Sequence, residues 1–242
     1  MRFILKAVMA AAMAAISGIA VAGPPFDTDD PEPTDSGHWE IYAFAAGDHQ
    51  GGLLQGSGGV DLNYGPVPGI QLTATLPVDF DDERGFHAQA GDAELGVKYR
   101  FLHREKAGVS IAIFPRLFVP TAGRRFGSGR LSVLLPIWAQ KDFGAWSLFG
   151  GGGYTIDPGA GNRDFWLEGA ALTRQVTKRL QLGGEATHQG PDTIGGRGTT
   201  TLGLGGIYRL GGPCSLLFSG GPQWEGRDRA GIHFYVALGL NF

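Results

Sequence analysis

The 242-residue chain contains one cysteine, Cys214, and so lacks the even set of cysteines that staples small exported domains. Beyond its first 22 residues it has no run of 18 apolar residues, which excludes a membrane-spanning helix in the body of the protein. It has no basic run and its pI is about 6.1, so nothing indicates nucleic-acid binding. After residue 22, the apolar residues do not follow a helical period of 3.6 for more than two turns, so the sequence predicts an all-β fold.

Residues 1–22 have the features of a cleaved secretory signal peptide. Arg2 and Lys6 supply its positive start, residues 7–20 are apolar and rich in alanine, and Ala20-Val21-Ala22 is an A-x-A cleavage site. A membrane anchor fits less well, because the segment is short and ends in a processing site. The mature chain is therefore expected to begin at Gly23.

The next segment, residues 23–37, is acidic and rich in proline, with little apolar content. Such a composition is compatible with a disordered N-terminus. The alternative is an ordered segment that tucks into one end of the folded domain.

The last twelve residues, GIHFYVALGLNF, alternate strictly between two rows. One row is apolar from Ile232 to Phe242, and the other carries small or polar residues such as His233 and Asn241. This pattern resembles the C-terminal strand of a bacterial outer-membrane β-barrel, in which a terminal phenylalanine serves as the assembly signal. Phe242 holds that position.

The rest of the chain shows eleven further segments with strand character. Together with the last one, the predicted strands are residues 38–45, 59–64, 68–76, 91–102, 108–119, 130–140, 144–155, 164–175, 179–189, 198–210, 214–221 and 231–242. The connections between them alternate between short and long along the chain, as the turns and outer loops of an up-and-down barrel do. A Greek-key sandwich would break this alternation.

These patterns predict a membrane-spanning, up-and-down antiparallel β-barrel of about 12 strands over residues 38–242. In lipid every backbone polar group must be paired, and closed barrels achieve this with strands. The even strand number places both termini on the periplasmic side. Pro115 and Pro136 lie inside predicted strands, where each lacks a ladder donor, so either each marks a bulge or a predicted strand boundary is wrong. Interfacial aromatic girdles are expected from Trp39, Tyr64, Phe101, Trp146, Phe165, Tyr208 and Phe242.

Three stretches carry a family resemblance. The start GPPFDTDDPEP with the Trp39-Glu40 pair, the segment GDAELGVKYRFL at 91–102 and the segment LQLGGEATHQ at 180–189 resemble the outer-membrane proteins called the putative MetA-pathway of phenol degradation family. The resemblance covers nearly the whole mature chain. It implies an outer-membrane channel for small molecules, aromatic or hydrophobic ones among them, and it brings no catalytic residues.

Charged residues alternate with the apolar rows and are expected to face the lumen. The candidates for lining the pore are Glu40, Asp61, Asp92, Glu94, Lys98, Arg100, Arg116, Arg130, Glu168, Arg174, Glu185 and Arg209. They either pair across strands and hold a narrow lumen together, or they line opposite walls and select the solute. We also hypothesise that residues 27–32 lie at the periplasmic mouth and pair with basic residues there.

Two other classes of function remain open. An outer-membrane lipid hydrolase would need a nucleophile and a base on the outer wall, where His188 is expected, but no serine lies near it in sequence. A structural or adhesive barrel would carry its function in the outer loops, which here are short. No cofactor and no metal are expected. The expected partners are outer-membrane lipid, the assembly machinery of the outer membrane and a small-molecule solute, in the outer membrane of a Gram-negative cell.

Overall fold

The computed structural model describes residues 25–123, 125–127, 129–227 and 229–242, so the predicted signal peptide lies outside the described residues. The strands are β1 Trp39–Gln50, β2 Leu53–Val67, β3 Ile70–Asp81, β4 His87–Ala90, β5 Ala93–Arg104, β6 Val109–Ile113, β7 Arg116–Val119, β8 Ser132–Phe143, β9 Trp146–Ile156, β10 Phe165–Gln175, β11 Leu180–Gln189, β12 Thr199–Gly211, β13 Cys214–Glu225 and β14 Arg229–Asn241. One 3₁₀ turn, Glu105–Ala107, follows β5. Within these ranges, no helix has the length and apolarity needed to cross a membrane.

The sheet closes on itself through its first and last strands. β1 pairs antiparallel with β14 from Glu40↔Asn241 to Gln50↔Gly231, and every other barrel strand pairs with its neighbour in sequence. β6 and β7 keep one register against β8, through Ile113↔Ile137 and Arg116↔Leu134, so they are two halves of one barrel strand. The short strand β4 only extends the β3 hairpin at one end. The architecture is therefore the predicted closed, antiparallel barrel of twelve strands.

The outer surface of the barrel is apolar and the inner surface is polar. Large apolar side chains project outward along the middle of the strands, with Leu204 76% exposed and Ile137 54% exposed. Buried Asn63, Gln71, Thr73 and Lys98 face inward. An exposed apolar belt of this extent would be unfavourable in water, and it matches the lipid-facing band of a transmembrane barrel.

Aromatic residues mark both rims of this belt. We call the end that holds Trp39, Phe242 and the short turns the terminal rim, and the opposite end the loop rim. Trp39 stacks on Tyr64 at the terminal rim, with ring centroids 4.7 Å apart. Tyr154 contacts Trp166 towards the loop rim at 5.0 Å. Aromatic side chains at these two levels are typical of membrane interfaces.

Most residues of two predicted loops belong to paired strands. The connection predicted at 46–58 is a two-residue turn, Gly51-Gly52, because β1 and β2 continue through Gly47↔Gly56. The one predicted at 222–230 shrinks to 226–228. Neither extension has an apolar alternation: the first is rich in glycine and polar residues, and the second contains Pro222, Gln223, Trp224 and Glu225. The contrast between short and long connections therefore holds for the middle of the chain and fails for its first and last hairpins.

Neither Pro115 nor Pro136 inserts a bulge into its strand. Pro115 separates β6 from β7, yet the register continues across it, and Val97 N donates to Pro115 O at 3.1 Å. Pro136 lies inside the unbroken strand β8, and Phe114 N donates to Pro136 O at 3.2 Å. Both prolines thus lose a ladder donor without inserting an extra residue, so neither marks a bulge. At Pro115 the predicted strand boundary is what changes, because residues 108–119 divide into β6 and β7.

Candidate functional site in the barrel lumen

Residues 25–37, which we call the lumen segment, run inside the barrel from its terminal rim. The segment joins β1 at this rim, where Ser36 forms a parallel bridge with Gly65 and Gly37 N donates to Gly65 O at 2.7 Å. A Cβ on Gly65 would lie 2.3 Å from Asp35 O, so only glycine lets the segment approach β2 this closely. Further along, Thr34 N and Oγ1 donate to Gln71 Oε1 at 2.8 and 3.1 Å.

One wall holds the middle of the lumen segment by charge. Lys98 on β5 is 1% exposed, and its Nζ lies 2.9 Å from Asp29 Oδ1 and 3.6 Å from Asp30 Oδ1. Arg100, two residues further along the same inward row, pairs with Glu32. Buried charges require such partners, and removing one of them is strongly destabilising. This wall therefore fixes the segment through two basic residues.

The far wall holds the other end of the segment. Glu185 on β11 accepts hydrogen bonds from Thr28 N and Thr28 Oγ1, both at 3.0 Å, and from Asp27 N at 3.2 Å. Asp27 also lies 3.5 Å from His233 Nε2 on β14, whose Nδ1 contacts Asp48 at 2.8 Å. Because β11 lies five strands away from β5 around a twelve-stranded barrel, the segment crosses the lumen from one side to the other.

The sequence left open whether the acidic N-terminal segment is disordered or ordered, and this path answers that question for its described residues. The described part of the segment is ordered, and Thr28, Asp30 and Thr34 are buried. Its acids do pair with basic residues, but Lys98 lies near the middle of β5, so residues 27–32 occupy the barrel interior and do not sit at its mouth. Burial, which Lys98 partly offsets, raises the pKa of Asp30 from 3.8 to about 7.

The predicted pore-lining residues on β1, β2, β5 and β7 form polar contacts inside the barrel. Glu40 accepts hydrogen bonds from Tyr42 Oη and Asn241 Nδ2 at 3.0 and 2.9 Å. Asp61 accepts from Asn63 Nδ2 and Thr75 Oγ1, both at 2.9 Å. Two further predicted residues, Glu94 and Arg116, form an ion pair at 3.6 Å.

The remaining predicted residues lie towards the rims. Arg209 is near the terminal rim, where its Nη1 lies 3.4 Å from Gln175 Oε1 and 3.3 Å from Lys178 O. Asp92 precedes β5 and accepts a hydrogen bond from Ala122 N at 2.9 Å. Arg130 precedes β8 in an exposed bend at the loop rim, and so lies outside the strand that was predicted to carry it.

Glu168 and Arg174 face outward, opposite to the predicted orientation of β10. Their register partners are His188 and Leu182, both on the outward row of β11, whereas Ala171 pairs with the inward Glu185. Arg174 lies over the Trp146 ring at 5.2 Å, near the terminal rim. The inner row of β10 is instead Phe165, Leu167, Gly169, Ala171 and Thr173. Phe165 therefore leaves the predicted girdle, and the exposed Trp166 takes its place.

Several uncharged residues that shape the lumen were not among the predicted pore-lining residues. Gln71, Asn63 and Thr73 form a buried network in which Gln71 Nε2 donates to Asn63 Oδ1 at 2.7 Å and Thr73 Oγ1 donates to the same atom at 2.6 Å. Phe114 lies beneath two cations, Lys98 at 5.0 Å and Arg116 at 5.1 Å. The alternation of β3 did place Gln71 and Thr73 on the inward row, but uncharged polar residues did not stand out as candidates.

The lumen segment leaves two chambers in the barrel. The inner chamber has a volume of about 300 Å³, and aromatic residues such as Tyr42, Phe44 and Tyr235 line one part of it. The loop-side chamber has a volume of about 480 Å³, and Gln55, Asp192 and Glu225 mark its position towards the loop rim. Asp27 and Arg116 line both chambers, so these two residues lie between neighbouring spaces.

His188, the residue considered for lipid hydrolysis, faces outward near the loop rim. Its Nδ1 lies 2.9 Å from Thr200 Oγ1, and its register partner on β10 is Glu168. Thr200 is an ordinary residue of strand β12, in regular register with both of its neighbours. The contact is a cross-strand hydrogen bond at the membrane interface.

Comparisons with known proteins place this fold among bacterial outer-membrane barrels. No family model and no curated protein matches the chain. Among solved structures, the COG4313 outer membrane channel from Pseudomonas putida F1 is 15% identical, with a TM-score of 0.71 over 90% of this chain and 100% of that one. The KdgM porin is 11% identical, with a TM-score of 0.59 over 83% and 99% of the two chains. The CymD monoaromatic hydrocarbon channel is 8% identical, with a TM-score of 0.51 over 87% and 89%. At these identities the similarity establishes the fold alone, a closed antiparallel β-barrel like the one that the structure displays.

Proposed function

We propose that the protein is an outer-membrane channel that passes small solutes along the lumen, past the lumen segment. The observation that carries this proposal is the pair of neighbouring chambers on either side of Asp27 and Arg116. They lie inside an apolar outer wall, and polar and charged side chains line them. A barrel with a filled, structural core would leave no such space. The similar solved structures, which are outer-membrane channels and a porin, support the same function.

The chamber volumes limit the size of the solutes that fit inside the barrel. Spaces of about 300 and 480 Å³ lie at the lower end of small-molecule binding sites. The aromatic residues of the inner chamber favour solutes with an aromatic or apolar part. This preference agrees with the family resemblance in the sequence, and we propose membership of that phenol-degradation transporter family on those stretches of sequence.

Location and orientation follow from the same proposal. The signal peptide would direct export, and the terminal rim with Phe242 would face the periplasm of a Gram-negative cell. Engagement of Phe242 by the assembly machinery is part of the proposal. Under this assignment the predicted lumen charges act in both ways considered above: Lys98, Arg100 and Glu185 hold the segment, while Asp61 and Arg116 border the path of the solute.

Liposome swelling tests the proposal directly. The full-length mature protein is reconstituted and challenged with neutral solutes of graded size, beside a variant that lacks residues 24–36. We expect slow, size-limited swelling for the wild type and faster swelling with a higher size limit for the deletion. If neither protein makes liposomes permeable while both migrate as folded barrels, the channel function is wrong.

A further inference from the structure

We propose that the inner chamber is a binding site for a small organic cation, such as a substituted ammonium, with Asp61 as its counter-ion. This inference rests on the proposed function, since the cation would be a solute on its way through the lumen. It names a substrate class that goes beyond size and apolarity.

Asp61 differs from the other acids of the inner chamber in its contacts. Asp29 pairs with Lys98, Glu94 pairs with Arg116, and Asp27 lies beside His233. The carboxylate of Asp61 is bound by two neutral donors, the amide of Asn63 and the hydroxyl of Thr75. Arg116 lies close enough to influence Asp61, but its guanidinium is paired with Glu94. Asp61 is thus held rigidly in the wall, with neutral partners around its charge.

The residues around this carboxylate are the kind that bind organic cations. Tyr42 is the register partner of Asp61 on the neighbouring strand β1, so both side chains enter the lumen side by side. Phe44, Tyr235 and Phe26 complete the aromatic lining, while the Phe114 ring is already beneath Lys98 and Arg116. Aromatic faces attract cations, and cages of such rings recognise alkylated ammonium groups.

The balance of charge in the chamber favours a cation as the ligand. The residues that line the chamber include four acids, Asp27, Asp29, Asp61 and Glu94, but only two bases, Lys98 and Arg116. A bound cation would compensate this excess, whereas an anion would increase it. One observation favours an anion instead: Arg116 Nε is buried and has no hydrogen-bond partner among the described residues. A benzoate probe therefore belongs in the test.

The test measures block of single-channel current by benzyltrimethylammonium, tetramethylammonium and benzoate. We expect both ammonium ions to block, and benzyltrimethylammonium to do so at the lower concentration because its ring adds apolar contact. Asp61→Asn should raise the half-blocking concentration by roughly tenfold, which is the effect of losing about 1.4 kcal/mol. Tyr235→Leu should weaken block by roughly 3- to 10-fold through loss of one aromatic face. Asp81→Asn, which makes the same change of charge at the loop rim, should leave it unchanged.

The outcomes separate this inference from the channel function. A conducting protein that benzoate blocks and ammonium ions do not would overturn the cation site and leave the channel intact. If the protein does not conduct, calorimetry of the same probes with the detergent-folded barrel still tests the site. Unchanged ammonium binding in a folded Asp61→Asn variant would also overturn it, since the site would then lie elsewhere.

Discussion

Gly169 on β10 lies directly against Thr28 of the lumen segment. A Cβ built on Gly169 would be 2.4 Å from Thr28 Oγ1 and 3.2 Å from Thr187 Cγ2, so the segment and the wall meet without room for a methyl group. Gly169→Ala should therefore displace the N-terminal end of the lumen segment from Glu185 and raise single-channel conductance. Gly184→Ala is the matched control on the next strand. Its new methyl would face outward, 3.0 Å from the flexible Leu204 side chain and 3.2 Å from Gly203 O, and away from the lumen segment. Equal conductance in the two variants would mean that the segment does not obstruct the pore.

The charge of Lys98 should hold the segment in place. Lys98→Met leaves Asp29 and Asp30 without their buried cation, and an unpaired buried charge costs about 3–5 kcal/mol unless the group escapes to water. We expect the segment to leave its site, with larger conductance and faster proteolysis near its N-terminus. Arg125→Met breaks an ion pair with Asp81 at the loop rim and serves as the control, with wild-type behaviour expected. A closed, protease-resistant Lys98→Met protein would contradict this prediction.

Mild alkali should loosen the segment through Asp30. Its pKa is about 7 when the segment is docked, against an ordinary value of 3.8, so docking takes up a proton between these limits. The stabilising effect is complete below about pH 4 and is lost as the pH rises through 7. Conductance of the wild type should accordingly be larger at pH 8.5 than at pH 5.5. Asp30→Asn mimics the protonated side chain and should reduce this dependence; an unchanged dependence on pH in that variant would exclude Asp30 as its source.

Two neighbouring glutamates should differ in their effect on ion selectivity. Glu185 faces the lumen and binds Thr28, whereas Glu168 faces the membrane interface. Glu185→Gln should weaken the hold on the segment and shift the reversal potential in a salt gradient towards anions. Glu168→Gln makes the same chemical change on the outer surface and should leave the reversal potential at its wild-type value. The reverse result would restore the orientation of β10 that the sequence suggested.

The terminal phenylalanine has two roles that can be separated. Phe242 N donates to Trp39 O at 3.0 Å, and Trp39 N donates to Phe242 O at 2.7 Å, so its backbone closes the seam. Deleting Phe242 removes both bonds, while Phe242→Leu retains them and removes the ring. If the ring is the assembly signal, both variants should accumulate poorly in the outer membrane, yet Phe242→Leu should refold in detergent like the wild type. Normal assembly of Phe242→Leu in cells would assign the role to the backbone.

The strands whose two faces differ sharply were the ones predictable from the sequence. On β5 charged Glu94, Lys98 and Arg100 alternate with apolar residues, and on β14 one row is wholly apolar, so strand and orientation follow directly from a period of two. β10 offered no such contrast. Its outward row carries Glu168 and Arg174 at the ends with Ala170 and Leu172 between, because the ends of a spanning strand reach the polar interfaces.

The path of the lumen segment could not be predicted, because its contacts are distant in sequence. Glu32 meets Arg100 across 68 positions, and Thr28 meets Glu185 across 157. The sequence showed acids near the N-terminus and bases on β5, which was enough to suggest pairing with basic residues. Only the closed barrel fixes the depth at which they meet. The requirement for glycine at positions 65 and 169 likewise cannot be predicted from the sequence, because it arises only where the lumen segment lies against these two residues.

The missing donors of Pro115 and Pro136 have a mechanical consequence. Val97 with Pro115 and Phe114 with Pro136 are opposed residues in antiparallel ladders, where two hydrogen bonds would ordinarily join each pair. Each pair keeps one bond, so the ladders that join β5, β6, β7 and β8 lack two of their hydrogen bonds. Lys98, Phe114 and Arg116 lie in this same sector. The segment is therefore attached, through Lys98 and Arg100, to the part of the wall that these two prolines weaken, and a force applied to the segment would act on this wall.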